Sequence, residues 1–243
     1  MFYNILLMAG EGQRFKKAGF KTPKALLPYN KKLMFQAAME KFPDCDKWIF
    51  AVNSEVYDSI DFQKFIKKFN ENFEVVKFSS TTNGQATTCM DCLDLLEDED
   101  SFFVGACDTV LSSKINKDSF LDKDTVLLVS DPTELQIKNL LNFGWVSYQD
   151  NEIKIYCKEE PLEGVYKSQI ILGFFYFSKK KDYLISYKEM INKNMYINNE
   201  LYIDVLIKNQ IYNNSVISTL ETNSIVLGTP NEYKQILKNN EKS

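Results

Sequence analysis

Apolar positions along this chain follow two rhythms. Short unbroken apolar runs alternate with stretches in which apolar residues recur every three or four positions. The first rhythm predicts buried strands and the second helices. Strands are expected at residues 5–8, 48–53 ("WIFAVN"), 73–78 ("FEVVKF") and 101–107 ("SFFVGAC"). Helices are expected between them: at 31–41, with Leu33, Met34, Ala37 and Ala38 at helical spacing; near 56–69, with Ile60, Phe65, Ile66 and Phe69 as the stripe; and at 86–97. This βαβαβαβ order predicts a largely parallel sheet covered by helices.

The second half is richer in strands, expected at 125–129, 143–148, 152–157 and 170–177. A polar turn, "YQDNEI", sits between the middle two and suggests a hairpin. Helices fit 180–192, 199–208 and 230–238. No repeat, low-complexity tract or linker interrupts the chain, so one domain over residues 1–243 is expected, its halves meeting near residue 130 in a shared sheet.

Composition narrows the chemistry. At 44% hydrophobic and 26% charged residues, the chain can bury a single-domain core. Its net charge of −4 offers no basic footprint, so nucleic acid is not an expected partner. No apolar run approaches the roughly 20 residues of a membrane span. "MFYNILLMAG" also lacks the basic start and cleavage site of a signal peptide, so a cytoplasmic protein is expected. Five cysteines at irregular spacing fit reduced thiols, and Cys89-Met-Asp-Cys92 is a CxxC in spelling alone. The chain has no histidine. That removes Ser-His-Asp and Cys-His nucleophile systems and His-ligated zinc. An enzyme with this composition must work with carboxylates, lysine, arginine and a metal, which favours phosphoryl or nucleotidyl transfer.

The stretch "MAGEGQRFKKAGFKTPKALLP" follows the first strand. Its glycines let backbone N–H groups approach anionic oxygens. No GK[ST] follows, so it is not a Walker loop, and Phe15 stands where a dinucleotide fingerprint needs its third glycine. Arg14 can clamp phosphate oxygens in a bidentate fashion, and Lys24 follows a rigid Thr22-Pro23 step. On the residues alone, a plain turn carrying two solvated cations remains open.

The combined pattern resembles the signature loop of the nucleotidyltransferases that join an NTP to a sugar phosphate or similar small phosphate ester. Ala9, Gly10, Gly12, Arg14, Phe15, Gly19, Pro23, Lys24, Leu27 and Pro28 carry the likeness. "NGQATTCMDCL" (83–93) is similar to the family's segment near the nucleobase, and "VGACDTVL" (104–111) to its metal-binding strand end. The resemblance implies an α/β protein with a mixed, mainly parallel sheet flanked by helices, of the Rossmann-like, glycosyltransferase A-like kind. Residues up to about 130 would form the nucleotide-binding half and 131–243 the acceptor-binding half.

The resemblance also implies roles for particular residues. Met8, Ala9, Gly10, Glu11, Gly12, Gln85 and Ala86 would bind the nucleotide, and Arg14, Lys24 and Lys158 would be catalytic. Asp108 would hold magnesium (or manganese). Gly144, Lys158, Gly173 and Glu200 would meet the acceptor, although Cys157 replaces the family's usual Glu before the lysine. Val226 stands where many relatives carry a second metal-binding Asp, leaving Glu200, Asp204, Glu221 or substrate phosphates as substitutes.

The implied partners are an NTP, with CTP favoured and UTP next, and a small phosphorylated acceptor, with pyrophosphate released. The spelling is most similar to a capsule-biosynthesis subgroup that includes a cytidylyltransferase for phosphorylated glutamine. No nucleic acid or membrane is expected, and a homo-oligomer is left open. Two other readings stand beside this one: a glycosyltransferase of the same fold using a nucleotide sugar, and a non-catalytic nucleotide-binding regulator.

Overall fold

The computed structural model describes residues 1–149, 152–213 and 215–240. The first half contains β1 (Phe2–Met8), α1 (Gln13–Lys17), β2 (Pro28–Tyr29), β3 (Lys32–Leu33), α2 (Met34–Met39), β4 (Lys47–Asn53), α3 (Ser54–Tyr57), α4 (Ile60–Lys68), β5 (Phe73–Phe78), α5 (Gln85–Cys92), β6 (Ser101–Ala106) and β7 (Thr109–Leu111). The second half contains β8 (Thr125–Ser130), α6 (Glu134–Lys138), β9 (Gly144–Gln149), β10 (Glu152–Cys157), β11 (Ser168–Phe177), α7 (Lys180–Asn192), α8 (Ile203–Tyr212), β12 (Ile217–Glu221), β13 (Ser224–Val226) and α9 (Pro230–Asn240).

The parallel part of the sheet runs β5–β4–β1–β6. Its inner strands β4, β1 and β6 are nearly continuous apolar runs because both faces are covered, whereas the edge strand β5 carries exposed Glu74 and Lys77. Along β1, Phe2, Leu6 and Met8 join a phenylalanine-rich core with Phe35 of α2 and Phe62 of α4. Tyr3 and Ile5 point the other way, into a core shared with Cys89 of α5, Tyr183 of α7 and Leu206 of α8. Strands from both sides of residue 130 lie in this one mixed sheet.

β11 makes the break that becomes the site. One edge of β11 pairs antiparallel with β8, and β12 lies parallel beyond β8. The opposite edge is shared by two strands: residues 168–170 pair with β9 and residues 174–177 with β6. Between them, residues 171–173 have no strand partner on that edge. The β8 register also shifts there, and Gly173 takes a φ of 76°. The sheet therefore forks at the end of β6.

The helix boundaries differ from the periodicity reading for local reasons. The helix expected at 31–41 starts only at Met34, because Asn30 and Lys31 adopt left-handed backbone in the turn of the β2–β3 hairpin. The 56–69 helix is two pieces, since Ser59 caps a new start by accepting from Phe62 N–H at 3.2 Å. Phe62, not Ile60, then faces the core, and Ile60 is exposed. The 199–208 helix begins at Ile203, after left-handed Asn198 and Asn199. The 86–97 helix ends at Cys92 and continues as a 3-10 turn. The centre of the "YQDNEI" turn lies outside the described residues, but β9 and β10 pair antiparallel on either side of it. All five cysteines are free. Among the described residues, no helix is long and apolar enough to cross a membrane.

Candidate active site

A cavity of about 570 Å³ opens at the fork, over the carboxyl ends of β1 and β6. Ligands gather at such a position in open α/β sheets. Of the residues that the sequence singles out for the site, all line this cavity except Ala86 and Glu221.

The glycine-rich loop leaves β1 and is pinned from two sides. Asn53 Nδ2 donates to Gly10 O at 3.0 Å, while the Glu11 carboxylate accepts from Thr81 and Gln13. Those two hydrogen bonds, Thr81 first, hold the Glu11 carboxyl below the usual glutamate range. Gly12 takes a left-handed φ of 63° and starts α1. Phe15 anchors that short helix against Phe20 and Tyr233, with ring centroids 5.3 and 6.1 Å away. Its neighbour Arg14 is exposed and forms no ion pair among the described residues.

Lys24 follows extended Pro23 and opens a single 3-10 turn. Its Nζ lies 2.6 Å from Asp108 Oδ2. Burial lowers the Lys24 pKa, but the Asp108 carboxylate, with a further contribution from Cys107, leaves the ammonium above the ordinary lysine value. Asp108 lies two residues beyond the end of β6, and its carbonyl accepts from Leu227 N–H at 2.7 Å. Pairing of β7 with β13 thus brings Val226 and Gly228 across to Asp108. A Cβ placed on Gly228 would lie 3.2 Å from Asp108 Oδ2, 3.7 Å from Val226 Cγ1 and 3.8 Å from Glu232 Oε2. Glu232 sits in the first turn of α9, where Thr229 N–H donates to Oε2 at 2.8 Å. Burial, and then the Asp108 carboxylate, push the Glu232 carboxyl up. The glycine leaves a small cradle walled by two carboxylates, a donor set of hard oxygens suited to magnesium.

The opposite wall is built around Asp204. A Cβ on Gly144 would stand 2.0 Å from Asp204 Oδ2, so the glycine at the start of β9 makes room for this buried carboxylate. Lys158 follows β10 with a left-handed φ of 58°. Its Nζ donates to Asn142 O and lies 5.3 Å from the Tyr202 ring centroid. Burial lowers the Lys158 pKa against the opposing pull of Asp204, and burial raises that of Asp204 against the pull of Lys158. Glu200 accepts from the Tyr202 hydroxyl.

Gly84 joins the two walls. With φ 106°, it packs so closely that a Cβ would meet both N and O of Leu201 at 2.6 Å. Leu201 N–H donates to Asn83 O at 2.7 Å, and Ala86 N–H donates to Leu201 O at 2.9 Å. Ala86, expected beside the nucleotide, is instead fully buried and serves this clamp. Gln85, one residue earlier, lines the cavity as the first residue of α5. Of the substitutes named for a second metal ligand, Glu221 lies on β12 outside the cavity, whereas Glu200 and Asp204 line it. Glu232 was not expected at all; the Thr229-to-Glu232 spacing reads as a helix cap and hides its second neighbour. Asp204 had one signal, a carboxylate among the apolar residues of "LYIDVLI".

The buried Asp204 gives a pH test. A carboxyl whose folded pKa lies above its unfolded value costs stability as it ionises. Asp204→Asn should therefore match the parent below about pH 4, near the unfolded carboxylate value. It should gain on the parent as pH rises from there through the elevated folded value. Urea melts from acid to neutral pH check this; a neutral-pH loss in the variant would mean that the ionised form is what holds α8 in place.

Residues 4–121 match the family model of the MobA-like NTP transferase domain. Solved structures share its fold over nearly its whole length. The nucleoside-diphosphate-sugar pyrophosphorylase from Vibrio cholerae RC9 is 21% identical, with a TM-score of 0.77 over 97% of this chain and 99% of that one. The inositol-1-phosphate CTP transferase from T. maritima is 15% identical, with a TM-score of 0.70 over 95% and 90%. A UDP-glucose pyrophosphorylase complexed with UDP-glucose is 15% identical, with a TM-score of 0.74 over 100% and 99%. A comparison with curated proteins found no match.

Proposed function

We propose that this protein is a nucleotidyltransferase that moves the NMP unit of an NTP onto the phosphate of a small phosphorylated acceptor. An acceptor phosphate oxygen bonds to the α-phosphorus, the bond to the β-phosphate oxygen breaks, and pyrophosphate leaves. The observation that carries this reading is the convergence of Arg14, Lys24 and Lys158 on one cavity beside Asp108. Arg14 and Lys24 rise from the glycine-loop side and would face the triphosphate; Lys158 is on the far wall and would align the acceptor. An acceptor phosphate is already ionised at neutral pH, so no general base is required, consistent with a chain that has no histidine. Magnesium or manganese held at Asp108 would supply further neutralisation of the phosphates.

CTP is the favoured nucleotide, followed by UTP. The loop spelling supports this, and so does the likeness to a structure described as an inositol-1-phosphate CTP transferase. Both a sugar phosphate and a non-sugar ester such as phosphorylated glutamine suit an acceptor wall with one lysine and two carboxylates. The product would feed capsule or other surface polysaccharide synthesis.

A pyrophosphate-release screen over four NTPs and a panel of phosphorylated acceptors tests the proposal. The expected result is release with CTP and one acceptor class; no release with any pair would overturn it. Lys158→Ala separates the two walls. Loss of one charge-assisted contact, worth about 1.5–3 kcal/mol, should raise acceptor KM by roughly ten- to a hundredfold. NTP binding measured by calorimetry without acceptor should hardly change. The reverse pattern would mean that Lys158 serves the nucleotide.

A further inference from the structure

We infer that Glu232 is the second protein carboxylate for the divalent cation, doing from helix α9 what Val226 cannot; this rests on the nucleotidyl-transfer reading. The argument starts from the cradle at Gly228. Asp108 Oδ2 and Glu232 Oε2 both border the space that Gly228 leaves open, 3.2 and 3.8 Å from the position a Cβ would take. Val226 Cγ1 forms a third wall of that space at 3.7 Å and offers only hydrocarbon.

The other carboxylates of the cavity are committed elsewhere. Glu11 is held by Thr81 and Gln13, Glu200 by Tyr202, and Asp204 packs against Gly144 beside Lys158. Glu232 is 7% exposed, and its backbone is fixed by the first turn of α9. Its Oε2 accepts from Thr229 N–H, which orients the carboxylate without neutralising its charge. Lys24 already places a cation on Asp108 from the loop side. Magnesium commonly binds through one or two carboxylates and completes its shell with substrate phosphates and water. Asp108 and Glu232 supply such a pair, directly or through one bridging water.

A plain helix cap predicts something different from a metal ligand, and Glu232→Gln separates them. The amide oxygen can still accept from Thr229 N–H, so the cap survives while the charge is lost. Manganese binding in the presence of a non-hydrolysable CTP analogue, followed by electron paramagnetic resonance, is the readout, with thermal melting as the fold control. The expected result is a near-parental melt with manganese affinity lowered by about ten- to a hundredfold. Adding Val226→Asp in the same chain should restore much of that affinity, because it returns a carboxylate to the same cradle. Parental affinity in Glu232→Gln, or a loss that Val226→Asp leaves unrepaired, would overturn the inference. A parent protein that binds no manganese with the analogue would overturn the nucleotidyl-transfer reading as well.

Discussion

Asp108→Asn is expected to lower turnover by a factor on the order of 10² to 10³, the scale seen when one preorganised charge is taken from a catalytic site. The amide keeps the shape of the side chain but loses the charge that a hard cation requires. It also removes the partner of Lys24, whose Nζ lies 2.6 Å from Asp108 Oδ2. Asp108 is what holds the Lys24 pKa above the ordinary value, so in the variant burial should draw it down. The backbone around residue 108 should persist, because Leu227 N–H bonds to its carbonyl and not to its side chain. Folding is therefore expected to change little: a partly exposed ion pair contributes about 1 kcal/mol or less. Near-parental kcat in saturating magnesium would remove Asp108 from the metal site. A collapse of the melting temperature would instead make it a structural partner of Lys24.

Arg14→Ala should lower kcat/KM by a factor on the order of 10², since a guanidinium aimed at developing negative charge acts mainly in the transition state. The structure makes this variant cleaner than Lys24→Ala. Arg14 is exposed and without an ion pair among the described residues, while its neighbour Phe15 carries the packing of α1. Lys24→Ala would also leave Asp108 without its cation. If Arg14 grips the departing pyrophosphate, the loss should appear in kcat more than in acceptor KM. A shifted melting curve with normal kinetics in the folded fraction would make Arg14 a structural residue.

The strands of the main sheet, β12 excepted, and the loop that follows β1 are legible in the sequence. β1, β4, β6 and β8 are buried on both faces, so each has an apolar centre, interrupted only by Asn4 in β1, that needs no tertiary context to be seen. The glycine loop was legible for another reason: Gly10, Gly12, Arg14, Pro23 and Lys24 act within one short segment, and their spacing is local. Helix starts were less legible, because left-handed Asn30, Lys31, Asn198 and Asn199 interrupt periodic stretches that look continuous. How the cavity is walled is not written in any one stretch of the chain. The fork in β11 depends on two strands sharing one edge, and no periodicity records that. The clamp between Gly84 and Leu201, the room that Gly144 leaves for Asp204, and the meeting of Glu232 with Asp108 each join residues far apart in the chain. Such contacts are made by the sheet, which brings distant loops to one end, so each residue carries in its own neighbourhood only the signature of a turn, a cap or an amphipathic helix.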